Sequence, residues 1–237
     1  MKKYFLLILS FVLFLAVSKN IQAQNLQEVL DKHFRAVGQE NLLKKETYTV
    51  EAAIEQMGTE FPMTMKLKRP NKFRMEMEMQ GQKMVQAYDG ENGWMIAPWM
   101  SSEPQDLSGP ELAQAMEQAN FDGELYNYSS KGTEASLIGK VNLDGKPMYN
   151  IKLTDKNGAV KNYFIDTEDH LIRKVKARIN AQGQEVEVEQ NLSGYKEFDG
   201  VKMPSKIESK NPMGTAVIHF KEIEFNVPMD DSLFKKP

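Results

Sequence analysis

The stretch Phe61-Pro62-Met63-Thr64-Met65-Lys66-Leu67-Lys68-Arg69-Pro70-Asn71-Lys72-Phe73-Arg74-Met75-Glu76-Met77-Glu78-Met79 decides the fold. Its odd positions carry Phe61, Met63, Met65, Leu67, Phe73, Met75, Met77 and Met79, and its even positions are mostly charged. Strict alternation of this kind is the pattern of two β-strands, each with one dry and one wet face. Lys68–Lys72 supplies the connection, with Pro70 suited to the second position of a turn. Pairing Arg69 with Phe73 predicts Met65 opposite Met77 and Lys66 opposite Glu76, a register that puts opposite charges across the wet face. Thioether side chains are flexible and polarizable, whereas an ordinary sheet core favours Val, Ile and Leu. Ten of the methionines, Met57 to Met116, fall in this region of a chain that has 15 in all. The face therefore predicts a cavity for something apolar.

The rest of the chain sets the frame. Lys2 and Lys3 precede an apolar run from Tyr4 to Val17, and Ile21-Gln22-Ala23 offers a small residue for cleavage. Residues 1–23 are expected to be a secretory signal peptide, leaving 24–237 as one exported domain. Loss of Lys2, Lys3 and Lys19 would shift the balance from 30 basic against 33 acidic residues to 27 against 33, a formal charge of −6. With no basic cluster in view, nucleic acid and anionic membrane surfaces are poor partners. The chain has no cysteine, which removes disulfides, thiolate chemistry and an acylated cysteine anchor.

Leu26, Val29, Leu30, Phe34 and Val37 recur at helical spacing between a cap-like start at Asn25/Glu28 and Gly38. From Tyr48 onward strands alternate with Asp89-Gly90, Asp144-Gly145, Asn157-Gly158, Gln182-Gly183 and Asp199-Gly200 turns, giving ten or eleven strands. Ser108 to Asn120 reads as a second helix with a Ser108/Glu111 capping box and a narrow stripe of Leu112, Ala115, Met116 and Ala119. Such a stripe docks weakly, so the helix is either a mobile lid or a permanently packed connector.

Catalytic constellations are not in evidence. His33 reads as a packed helix residue, His219 as solvent-facing on a strand, and His170 as a turn residue. Asp230-Asp231 and Glu168-Asp169 read as loop or cap chemistry, because neighbouring strand residues point apart. No nucleophile elbow, phosphate loop or metal-ligand spacing stands out, and neither enzyme chemistry nor a cofactor is expected. Trp94 and Trp99 offer the largest apolar areas, as core or as binding surface.

Lys68-Arg69-Pro70-Asn71-Lys72-Phe73 followed by Asp89-Gly90-Glu91-Asn92-Gly93-Trp94 and Pro98 resembles the LolA-like outer-membrane lipoprotein-sorting carriers. Asn226-Val227-Pro228-Met229-Asp230-Asp231 is similar to that family's C-terminal stretch, less specifically. The resemblance implies a mainly β fold, a single antiparallel incomplete barrel of about eleven strands with a helical lid. It also implies a periplasmic, monomeric carrier whose partners are lipoprotein acyl chains or lipid, with inner- and outer-membrane lipoprotein-transfer proteins at either end. The expected cavity residues are Phe61, Met63, Met65, Leu67, Phe73, Met75, Met77, Met79, Trp94 and Trp99. Leu112 and Met116 would belong to the lid. Arg69 would latch it through hydrogen bonds to lid-helix backbone, whose terminal carbonyls are unpaired acceptors. The heavy methionine content and the lack of a specific match beyond Asn150 separate this chain from that pattern. The alternative function on the same fold is a sensor or regulatory module that binds exported proteins without carrying lipid.

Overall fold

The computed structural model describes residues 26–181, 184–212 and 214–237. The expected signal peptide, Asn25 cap and Gln182-Gly183 turn lie outside the described residues. The fold is mostly strand, with three α-helices and a large antiparallel sheet that does not close into a barrel, as the fold class predicted. Fifteen strands occur among the described residues, more than the ten or eleven expected. The extra ones are polar or very short. β6 (Ser101–Asp106), β12 (Lys196–Phe198), β13 (Val201–Met203) and β14 (Lys206–Asn211) have little apolar alternation, and their pairing partners rather than their composition make them strands.

The chain divides into two compact units. Among the described residues the first holds 26–36 and 127–187. Helix α1 (26–37) buries Leu26, Val29, Leu30 and His33. Strands β7 (Glu134–Leu143), β8 (Lys146–Thr154), β9 (Val160–Asp166) and β10 (Ile172–Ala181) pair in sequence order. Register places Ile151 opposite Tyr163 and Tyr149 opposite Ile165, so one face carries the dry residues. The opposite face carries the row Lys152–Asn162–Lys176.

The second unit holds 37–126 and 188–237. Its ladder runs β6, β5 (Gly93–Ala97), β4 (Gln82–Tyr88), β3 (Lys72–Met79), β2 (Thr59–Lys68), β1 (Thr47–Gln56), β15 (Gly214–Phe225), β14 and then β11 (Gln184–Ser193). Four of the two-residue turns among the described residues have both central residues at positive φ, the mirror-image geometry that suits strand twist: Asp144-Gly145 and Asp199-Gly200, as read from the sequence, and also Met57-Gly58 and Gln80-Gly81. The last two escaped notice because Met and Gln are unusual at the first of these positions.

Gly38, at φ +72, ends α1, and α2 (Gln39–Leu42) follows at once. A Cβ on Gly38 would stand 2.1 Å from the Gly200 carbonyl, so this turn requires glycine for space as well as for conformation. Helix α3 (Gly109–Gln118) is where it was expected, with Ser108 at the N-cap and Pro110 in the first turn. The expected capping box is absent, since the Ser108 side chain makes no cap hydrogen bond. Ala115 and Ala119 are buried, Leu112 is half-buried and Met116 is exposed.

The β2–β3 register differs from the prediction by two residues. Met65 faces Met75, Met63 faces Met77, and Lys66 faces Arg74 rather than Glu76. A shift of two preserves which side each residue faces, so the methionine face survives. It sets like charges opposite one another at Lys66/Arg74 and Lys68/Lys72, and carboxylates near and far offset them. Asp231 bridges Lys68 and Lys72 at 2.7 Å each, and Glu76 pairs with Arg74 at 2.7 Å.

Candidate functional site

All the expected site residues lie in the second unit. Pair register extends the methionine face across five strands. Leu67, Phe73 and Tyr88 form one row, and Val50, Met65, Met75, Gln86 and Met95 the next. Ala52, Met63, Met77 and Met84 follow, and Ile54 with Phe61 continues the face toward the opposite end. Beyond β1 the row continues through Ile218 to Ile207.

Depth divides this face into two parts. Near the Arg69 turn, Leu67, Phe73, Tyr88, Ala115, Ala119 and Phe121 are buried as one cluster, with Met65, Met75, Met95 and Leu112 packed against it. Here α2 and α3 cover the sheet. Met63 is buried with Val50, Ala52 and Ile223. Toward the other end Ile54, Phe61, Met77, Met79, Met84, Ile218 and Phe220 are all half-buried. That end is an apolar surface without the full cover given to the first.

The tryptophans leave the face. Trp94 pairs with Ala87, and Ala87 with Arg74, which places Trp94 on the opposite side of the sheet from Met95 and Met75. Its indole Nε1 donates to the Phe234 carbonyl at 2.9 Å, and the Arg74 guanidinium sits 5.6 Å from its ring. Trp99 lies in the turn between β5 and β6, 50% exposed. Grouping both with the methionines overlooked strand parity, which gives the face to Met95 and denies it to Trp94.

The side that takes Trp94 is strapped by the C-terminal segment. Thr47 Oγ1 donates to the Val227 carbonyl, Lys68 to Met229 and Arg74 Nη1 to Leu233, all between 2.7 and 2.8 Å. Phe234 is fully buried. Asp230 caps a short 3-10 turn (Asp231–Leu233) by accepting from the Ser232 amide, so the acidic pair is indeed cap and loop chemistry. Hydrogen bonds from Lys68 and Lys72 hold the Asp231 carboxyl down at about 2.

The two sequence motifs meet at one end of the sheet. Asn71 Nδ2 approaches the Gly90 carbonyl at 3.4 Å, and Tyr88 Oη donates to the same carbonyl at 2.8 Å. Asp89 Oδ1 accepts from the Glu91 and Asn92 amides, which closes the turn that aims β5. A Cβ on Gly93 would lie 2.9 Å from Leu112 Cδ1 and 3.0 Å from Leu107 Cδ1, so this glycine lets α3 settle on the strand.

Arg69 is the hub of that end. Its Nε donates to the Lys45 carbonyl at 2.7 Å and its Nη2 to the Leu42 carbonyl at 3.1 Å. Its two terminal nitrogens grip the Asp122 carboxylate at 3.0 and 2.6 Å, the bidentate geometry a guanidinium favours. The guanidinium lies 4.3 Å from the Phe121 ring, which stacks edge-on against half-buried Tyr48 at 4.7 Å. The Asp122 hydrogen bond strengthens the hold of Arg69 on its proton. Gln39 Nε2 meanwhile donates to the Asp122 backbone carbonyl at 3.1 Å. The arginine thus reaches backbone, but at and beyond the end of α2. It meets the segment after α3 through a carboxylate. Asp122, Phe121 and Tyr48 were not singled out as site residues, although Phe121-Asp122 directly follows the second helix and could have been flagged there.

Comparison with known proteins agrees with this geometry at the level of fold. No curated protein matches the sequence. A LolA superfamily protein from Nitrosomonas europaea is similar in structure, with TM-score 0.63, 15% identity, and 89% of this chain and 97% of that chain covered. A DUF1329 family protein from Desulfovibrio piger gives TM-score 0.61 at 15% identity, covering 87% of this chain and 97% of that one. A domain from Vibrio parahaemolyticus described as an outer membrane lipoprotein-sorting protein gives 0.58 at 12%, covering 85% and 96%. The chain therefore has the LolA-like fold that its Arg-Pro and Asp-Gly motifs implied, and by a match over residues 68–237 it belongs to a family whose description reads "Uncharacterized protein".

Proposed function

We propose that the protein is a periplasmic, non-enzymatic carrier that receives the acyl chains of lipoproteins or lipids on the methionine face of its second unit and serves their sorting to the outer membrane. The observation that carries this reading is the half-buried tract Ile54, Phe61, Met77, Met79, Met84, Ile218 and Phe220, continuous with a dry core but not absorbed into it. Burial of a methylene is worth about 0.8 kcal/mol, so about eight of them supply roughly 6 kcal/mol, a dissociation constant in the tens of micromolar. Methionines adapt to chains of different length and saturation without repacking. α3 is the lid, and Arg69 is the latch that joins the β2–β3 turn to the segment after it.

The test is mass spectrometry of lipids extracted from protein purified from its native envelope, paired with displacement of an apolar fluorescent probe. Stoichiometric acyl cargo, and probe binding weakened at least tenfold by Met77→Glu, are expected. Protein that comes out free of lipid and also ignores the probe would refute the carrier reading and favour a module that binds exported proteins.

A further inference from the structure

The first unit carries a cavity of its own, of about 500 Å³. Lys152, Lys176 and Arg178 line it from β8 and β10, Asn162 lies between them on β9, and Glu187 is the single carboxylate of its wall among the described residues. Lys152 and Lys176 both pair with Asn162, so they stand in one cross-strand row, roughly 10 Å apart at the backbone. Arg178 is two residues beyond Lys176 and shares its face. Three cations thus converge on one concave space. Elsewhere in the protein, facing cations such as Lys68 and Lys72 share a carboxylate. Among the described residues neither Lys152 nor Arg178 makes an ion pair or a side-chain hydrogen bond. The charges of Lys152 and Arg178 are thus left for an incoming anion to neutralise, and a guanidinium beside ammonium groups suits tetrahedral oxyanions.

We propose that this cavity is a binding site for a phosphate-type oxyanion, held by Lys152, Lys176 and Arg178 and oriented by the Asn162 amide. The anion is either free phosphate or the phosphate of a lipid headgroup. The site stands apart from the acyl-chain reading, since none of its residues belongs to the methionine face.

The experiment is NMR titration of the full chain at constant ionic strength, following the amides of β8–β10. One arm uses inorganic phosphate, a second a short-chain soluble phosphatidylglycerol, and a third the matching short-chain diacylglycerol, which lacks the phosphate. Saturable shifts with phosphate identify a free-ion site. Shifts with phosphatidylglycerol but with neither phosphate nor diacylglycerol identify a headgroup site. In either case Lys152→Gln and Arg178→Gln should each weaken binding roughly tenfold, as loss of one charged hydrogen bond does. Both residues are on the surface of strands, and thermal melting of the variants confirms that they remain folded. Shifts no larger than those with chloride in the first two arms, or binding unchanged in both folded variants, overturn the proposal.

Discussion

Replacing Arg69 by leucine should loosen the end of the second unit where both motifs converge. The side chain makes two hydrogen bonds to carbonyls, at Leu42 and Lys45, and two to Asp122. Four bonds from a charged donor at about 1.5 kcal/mol each, the low end for such bonds, come to about 6 kcal/mol before solvent is considered. The pair is about one-fifth open to solvent, 19% and 23%, so water replaces part of that loss. Leucine also refills some of the contact with Phe121. An expected cost of about 2–4 kcal/mol follows, with Arg69→Lys costing about half because it keeps the charge and loses the fork. Both tryptophans lie in the second unit, so fluorescence during urea denaturation reports on that unit. A double-mutant cycle of Arg69→Leu with Asp122→Asn isolates the ion pair, and a coupling of about 1–2 kcal/mol is expected. Additive effects in the cycle, or a cost below about 0.5 kcal/mol for the single leucine variant, would refute the clamp. If Arg69 also serves as latch, the leucine variant releases an apolar probe faster than Arg69→Lys does.

Three further outcomes follow from the same geometry. Gly93→Ala should push Leu107 and Leu112 outward and cost about 1–2 kcal/mol, with amide exchange rising first in α3; unchanged exchange there would mean that α3 does not rest on this glycine. Asp231 is held down at about 2 by Lys68 and Lys72, so its stabilising effect is complete above its ordinary value near 3.8 and is lost as the pH falls toward 2. Denaturation curves of wild type and Asp231→Asn should therefore differ at pH 7 and converge at pH 2, and a gap that persists at pH 2 would count against the bridge. Burial lowers the His33 pKa, although its Nδ1 donates to the His170 carbonyl at 2.9 Å. The unfolded chain then takes up this proton first, so stability falls as pH drops below about 6.5, by no more than about 1.4 kcal/mol per unit. His33→Asn should lack that component, and identical pH profiles would contradict it.

Much of this protein was legible in the sequence because the signals are local. Alternation from Phe61 to Met79 states which residues share a face whatever the rest of the chain does, since the side-chain period of a strand is two. The helical spacing over Leu26–Val37, the glycine that ends α1, and most hairpin turns are equally short-range. Even the family likeness rests on contiguous motifs, and Asn71 with Gly90 shows why they travel together: they touch. What pairs of strands do to each other is less local. Opposite charges at Lys66 and Glu76 favoured one register, and Asp231, more than 150 residues away, made the other tolerable by neutralising Lys68 and Lys72. The same C-terminal strap claimed Trp94 for the far side of the sheet, where its indole meets the Phe234 carbonyl. Asp122 became the partner of Arg69 only when α3 folded back over the methionine rows. Sequence by itself thus determined the faces and the turns, because those follow from the geometry of neighbouring residues. The tertiary structure decided register, counter-charge and which apolar rows stay half-open, because each depends on groups that only folding brings within a few ångströms.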